Sequence, residues 1–287
     1  MQLPIVAPAP LVLAHADAFR DLFENRCQFH HFQNYLTGLI VLDNKSLTNS
    51  ARGVLESADK TTLSCFFSEA PWFQDRINDR RLTYLLQQTK AVRGPKADAI
   101  LILDDTLCEH VGSLCDYVDR QYNHGDATYP LAHNPVTSPY VSGPVRFPVD
   151  LRLYRRSEEC TRWEGYGHTH FPDRVIPTKK KERLRLHKEV DPSLLDDPAF
   201  QALHQQLRTK IALGSAVVEA AIQHKVPFGV LLFASWYLAE ELVSMARYRK
   251  KDWLSLLKKN RTLATKSFVL TEAGGTTPAR GQGRIWR

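Results

Sequence analysis

Asp98-Ala99-Ile100-Leu101-Ile102-Leu103-Asp104-Asp105 is a short, unbroken apolar run that closes on two carboxylates. Its length and its Ile/Leu content predict a buried strand rather than a helix, which would need a longer run with a 3.6-residue period. Two stretches downstream, 128–141 and 145–154, also read as strands, with His-Gly-Asp and Ser-Gly-Pro at their turns. Residues 204–224 carry Ala, Leu, Ile and Val at a density that predicts one long apolar helix, stopped by Pro227. Phe228-Gly-Val-Leu-Leu-Phe233 then reads as a second buried strand, 237–249 as an amphipathic helix and 253–257 as a last short strand.

Upstream, residues 17–90 place apolar side chains at helical spacing in four segments, separated by Asn44-Lys45-Ser46, Ala58-Asp59-Lys60-Thr61 and Ala70-Pro71-Trp72. A helical domain over 17–90 follows, able either to hold DNA or to cap what comes next. Residues 1–16 form an N-terminal extension, and 91–97, with Gly94 and Pro95, a linker. The chain has 287 residues, 43% hydrophobic and 24% charged, which is an ordinary globular composition. No apolar run reaches the roughly 18 residues of a membrane helix, and Met1–Ala16 lacks the basic start of a signal peptide, so a cytoplasmic protein is expected.

The five cysteines show no paired spacing, so neither a disulfide framework nor a zinc ribbon is implied. Cys27 with His30 and His31, and His168 with His170 on a stretch read as extended, have metal-like spacing but no matching second half-site. Core packing and polar surface are the simpler account of both. Net charge is +7, and two blocks carry the excess. The first holds Lys179, Lys180, Lys181, Arg183, Arg185 and Lys188; the second holds Arg247, Arg249, Lys250, Lys251, Lys258, Lys259 and Arg261, interleaved with Tyr248 and Trp253. Such blocks suit a polyanion, whose counterions they release, or form a solvated basic face.

Strand, strand, strand, long helix, strand, helix, strand is the connectivity of an RNase H-like domain. Adjacent strand-end carboxylates at Asp104 and Asp105 either make an oxygen-rich half-site for Mg²⁺ or Mn²⁺ or cap the turn that follows. The segment 101–156, from LILDDTLCEHVGSLCDYVDRQYNHGDATYP to VRFPVDLRLYRR, has LTGLIVLDNKSLTNSARGVLESADKTTLSCFFSEAPW before it and VPFGVLLFASWYLAEELV after it. Together these resemble bacterial insertion-sequence transposases with a DDE-type endonuclease domain, from about Phe19 to Leu270.

The resemblance implies an α/β fold: an RNase H-like mixed-sheet core over 98–270, preceded by a helical region that helps hold element-end DNA. It implies hydrolysis and strand transfer of phosphodiester bonds, with Mg²⁺ or Mn²⁺ held by two Asp and one Glu. Carried over residue by residue, the first acid is Asp104, with Asp105 beside it. The second falls on Ala234, before Ser235-Trp236-Tyr237, and Glu240 and Glu241 come one to two turns later. The third has no place, because the Gly/Arg-rich stretch 271–287 reads as an irregular tail of a truncated core. The expectation is therefore a transposase-family protein, inactive in this form, that binds double-stranded DNA as a homo-oligomer or in mixed complexes with a full-length enzyme. A regulatory DNA-binding module and a decayed reading frame are the other two readings.

Overall fold

The computed structural model describes residues 5–54, 59–112, 118–123, 125–154, 157–206 and 208–257, with the short segments 268–270, 276–278 and 284–286. The chain divides into two units, 1–90 and 91–287. None of the described helices is long and apolar enough to cross a membrane.

The first unit is helical: α1 (Pro10–Ala16), a 3-10 turn (Asp17–Leu22), α2 (Arg26–Val41), α3 (Leu47–Gly53), α4 (Lys60–Ser68) and α5 (Gln74–Gln88). Its starts are written in the sequence. Asn25 accepts the Gln28 N–H at 2.9 Å, Ser46 that of Asn49 at 3.3 Å and Asp59 that of Thr62 at 2.9 Å, each satisfying a donor that the first helical turn leaves open. Phe23, Phe29 and Phe66 form the buried centre with Val12 and Ala16. Trp72 closes over Phe66 and donates Nε1–H to the Phe66 carbonyl at 2.7 Å.

The second unit begins with β1 (Ile100–Asp105), followed by the short strands β2 (Cys108–Glu109) and β3 (Asp119–Arg120), then β4 (Leu131–Ser142) and β5 (Val145–Tyr154). Helices α6 (Ser157–His170), α7 (Lys180–Leu194) and α8 (Pro198–Gln206) precede α9 (Lys210–Gln223), β6 (Val230–Phe233), α10 (Glu240–Tyr248) and β7 (Asp252–Leu256). β8 (Phe268–Leu270), β9 (Thr276–Pro278) and β10 (Arg284–Trp286) complete the elements. The core sheet runs β5-β4-β1-β6-β7, with β4 antiparallel to both β1 and β5, and β1, β6 and β7 mutually parallel. This is the RNase H-like mixed sheet that the element order predicts.

Leu101, Leu103, Leu231, Phe233 and Trp253 are buried on one face of the sheet. There α9 lies so close that a Cβ on Gly214 would sit 2.8 Å from Leu103 Cδ2, and α10 packs beside it on α9 and β7. On the other face Ile100, Ile102, Val230, Leu232 and Leu254 are half-buried, and Leu256 is exposed.

Three expectations need correction, for 204–224, for His168 with His170 and for 271–287, and the sequence reading has no element for most of 157–206. The long helix of 204–224 is two helices, because Thr209 starts a new one by accepting the Ala212 N–H at 3.1 Å. His168 and His170 lie on α6, not on an extended segment. The segment 157–206 folds into three helices around Trp163, Leu186, Val190, Leu194 and Phe200, a separate small core inserted between β5 and α9. The 271–287 stretch, read as irregular, contains β9 and β10. β10 adds parallel to β7, whose backbone would otherwise be an open edge.

The start of β6 is pressed against the turn that enters β1. A Cβ on Gly229 would lie 2.5 Å from the Ala97 carbonyl oxygen and 2.8 Å from its Cα, a contact that only backbone movement can relieve. Gly229→Ala should therefore destabilise the second unit by about 1–3 kcal/mol, seen as a Tm loss of several degrees in calorimetry.

Candidate active site

Successive residues of a strand point to opposite faces, and this separates the two adjacent acids. Asp105 lies on the α9 side. Its Oδ2 is 2.6 Å from Lys210 Nζ at the start of α9, and the two side chains are 21% and 19% exposed. Buried Asn134 on β4 bridges the pair, donating its amide N–H to Asp105 Oδ2 at 3.1 Å and accepting from Lys210 at 2.6 Å. Lys210 also sits 5.2 Å from the centroid of the Tyr154 ring, a cation–π distance. Asp105 is thus a neutralised, hydrogen-bonded structural acid in this arrangement.

Asp104 is exposed and faces the other way. One of its oxygens accepts the Asp105 N–H at 2.9 Å. It opens on a cleft of about 360 Å³ lined by Ile102, Leu232, Ala234, Leu254, Ser255 and Leu256. The parallel register sets the identity of its neighbour: Leu103 pairs with Phe233, and one residue on, Ala234 donates its N–H to the Leu103 carbonyl at 3.3 Å. Ala234 and Asp104 are therefore side by side at the carboxyl ends of adjoining strands, where ligands of open α/β sheets bind.

Tyr237 is buried beside these acids, and its hydroxyl closes no hydrogen bond of good geometry among the described residues. Burial pushes its ionisation far above the ordinary tyrosine range, and the Asp105 and Asp104 carboxylates push in the same direction. Sequence reading missed Lys210, Asn134, Tyr154 and Tyr237. Lys210 did leave a signal: a cation at the first position of an apolar helix opposes the helix dipole unless an acid holds it.

A pair of divalent ions needs several converging oxygens. Among the described residues Asp104 is the one carboxylate lining the cleft, whose other described walls are mostly aliphatic. Asp105 is occupied on the far face, and Glu241 accepts from Ser215 Oγ at 2.9 Å on α9. No group of three His, Cys, Asp or Glu among the described residues is placed to hold a metal, which includes Cys27 with His30 and His31. The donor set of the described residues does not by itself fit the Mg²⁺ or Mn²⁺ that the resemblance implies.

The basic blocks are partly consumed by the fold. On α7, Lys181, Arg185 and Lys188 are exposed, whereas Arg183 donates to the Pro177 carbonyl at 3.1 Å and approaches Glu164 at 3.4 Å. Lys179 is 3.8 Å from Glu182. In the second block Arg249 makes two bonds to Glu219, at 2.7 and 3.2 Å, and Lys251 turns inward to the Phe228 carbonyl. Arg247 and Lys250 are exposed. The Lys180 side chain and residues Lys258, Lys259 and Arg261 lie outside the described residues.

Two outcomes follow from this geometry. Lys210→Met should cost about 2–3 kcal/mol, because the largely buried Asp105 carboxylate loses the cation 2.6 Å away and keeps only the Asn134 N–H. Asp105→Asn in the Lys210→Met background should recover part of that, as a double-mutant cycle of denaturant melts will read. A hydroxyl whose folded ionisation lies above its unfolded value gives stability that is complete below about pH 10 and lost as pH rises further. Tyr237→Phe should therefore leave Tm at pH 7 within about a degree or two and flatten its decline above pH 10, since the hydroxyl forgoes little bonding.

A family profile described as DDE superfamily endonuclease matches residues 18–286. The match runs beyond Leu270, where the resemblance was expected to stop, and takes in β8, β9 and β10. No curated protein matches the chain. With nearly its whole length matched on an RNase H-like sheet, the chain belongs to the DDE superfamily endonucleases.

Proposed function

We propose that this chain is a transposase-family protein that binds duplex DNA at element ends and does not cut it at the Asp104 centre. The observation that carries the reading is the β1–β6 register. It sets Ala234 beside Asp104, in the position that the resemblance gives to the second acid. A methyl group there offers no metal bond, and Asp105 is held on the other face by Lys210. Asp104, the one carboxylate that the described residues bring to this cleft, lacks by itself the charge to gather divalent ions.

Two features support retention of DNA binding: the family is one that acts on DNA, and exposed Lys and Arg remain on α7 and at the end of α10. In this reading the helical unit helps hold the terminal DNA, and the protein acts in the cytoplasm as part of a bacterial insertion sequence. It would regulate transposition by occupying ends, as a homo-oligomer or in mixed complexes with an active enzyme.

The full chain incubated with a terminal duplex and Mg²⁺ or Mn²⁺ should shift the duplex without nicking it. Metal-dependent nicking that Asp104→Asn abolishes would overturn the assignment. Ala234→Asp should raise Mn²⁺ affinity in calorimetry relative to the parent chain. Identical binding by the two proteins would remove Ala234 from the second-acid position.

A further inference from the structure

At the end of the sheet opposite to Asp104, the turns that enter the parallel strands share one character. Lys96 lies in the turn entering β1, Lys225 in the turn between α9 and β6, Arg247 and Tyr248 in the last turn of α10, and Arg249-Lys250-Lys251 in the turn between α10 and β7. Arg146 joins them from the β4–β5 hairpin, because it pairs with Val141, which pairs in turn with Ile100 at the start of β1. Lys96, Arg146, Lys225, Arg247 and Lys250 are all exposed. Neighbouring strands lie about 4.8 Å apart, so these cations form a row along one sheet edge. The acids at this edge are Asp98, Asp252 and Glu219, and two bonds from Arg249 already engage Glu219.

The row is rigid. The close approach of Gly229 to Ala97 and Lys96 locks the β1 entrance against β6. Lys251 donates to the Phe228 carbonyl and packs on the Phe228 ring. Burial, with the nearby charge of Lys96, holds the Lys251 ammonium below the usual lysine range, a sign of how closely the cations are set.

Two of these lysines occupy backbone positions that favour glycine. After α9 the chain passes through Lys225 at φ 57°, and after α10 through Lys250 at φ 53°. Both follow the C-cap residue of a helix, His224 for α9 and Arg249 for α10, where a left-handed residue is most often Gly because it has no Cβ to clash. The same costly choice of Lys at two equivalent turns on one edge points to a use for the charge. Beside them Tyr248 is 80% exposed, with the Arg249 guanidinium 5.4 Å from its ring centroid.

We propose that this amino-terminal edge of the parallel strands is a second duplex-DNA contact, with Lys96, Lys225, Arg247 and Lys250 along a phosphate backbone and the Tyr248 hydroxyl donating to it. The inference rests on the reading that the chain binds DNA, and it adds a surface distinct from the Asp104 cleft. Ile100 to Asp104 spans about 13 Å of strand, so a phosphate held here is not one held at Asp104. Contacts of this kind position a duplex without reading its sequence.

The test is fluorescence anisotropy of the full chain with a labelled duplex over a salt series, comparing the parent with Lys225→Gly/Lys250→Gly. Glycine keeps the left-handed backbone and removes the charge, so the double variant should melt no lower than the parent. Its affinity should fall about tenfold near 0.1 M salt, and its log–log salt slope should become shallower by about 2. Unchanged affinity and slope would overturn the edge contact. If Lys181→Gln/Lys188→Gln on α7 then weakens binding, the DNA-binding reading stands without the edge. A parent chain that binds no duplex overturns both.

Discussion

Pairing of β1 with β6 is the constraint on which the rest depends. Four apolar pairs, from Ile100 with Val230 to Leu103 with Phe233, fix the register of the two central parallel strands. A slip of one residue would turn Leu103 and Phe233 out of the core and is excluded by their burial under α9. Once that register is set, the residues just beyond it are set too: Asp104 on one strand and Ala234 on the other. The chemistry available at the carboxyl edge is thus decided by hydrophobic packing several residues away.

The same pleat explains why the two adjacent acids do not converge on one point. Asp104 and Asp105 look in opposite directions, and Lys210 with Asn134 satisfies the inward one. An internal lysine supplies charge compensation on the α9 face, where an unpaired carboxylate would be costly. The outward acid meets aliphatic walls and the methyl group of Ala234. The chain keeps a fold of the DDE superfamily, with Asp104 set beside the methyl group of Ala234 at the carboxyl edge of the sheet.

Most of the fold was legible because its elements are local patterns: apolar runs of strand length at 98–105 and 228–233, and capped helical periods in the first unit. Asp104 and Ala234 could be named from sequence because both lie at strand ends flanked by recognisable motifs. The break before α9 was missed because the apolar residues of 204–224 read as continuous, while the Thr209 cap that divides them is one hydroxyl. The α6–α8 insertion was hidden by its charge, since the Lys and Arg of α7 drew attention from Leu186, Val190 and Leu194 at helical spacing beneath them. Lys210, Asn134 and Tyr154 come together only through the sheet, from positions more than 50 residues apart for Lys210 and its β-strand partners. The basic edge at Lys96, Lys225 and Lys250 is likewise a product of topology, three turns brought into a row by parallel strands.

The most direct test of the register and of the parting of the two acids is disulfide formation under mild oxidation, read by mass spectrometry of the linked peptides. Residues on adjoining strands lie within the 4.4–6.8 Å that a disulfide spans between Cα atoms, provided that their side chains share a face. Asp104→Cys with Ala234→Cys should cross-link readily, and Asp105→Cys with Ala234→Cys should not. Efficient linkage of the second pair, or failure of the first in a folded protein, would contradict the placement of Ala234 beside Asp104 and the account built on it.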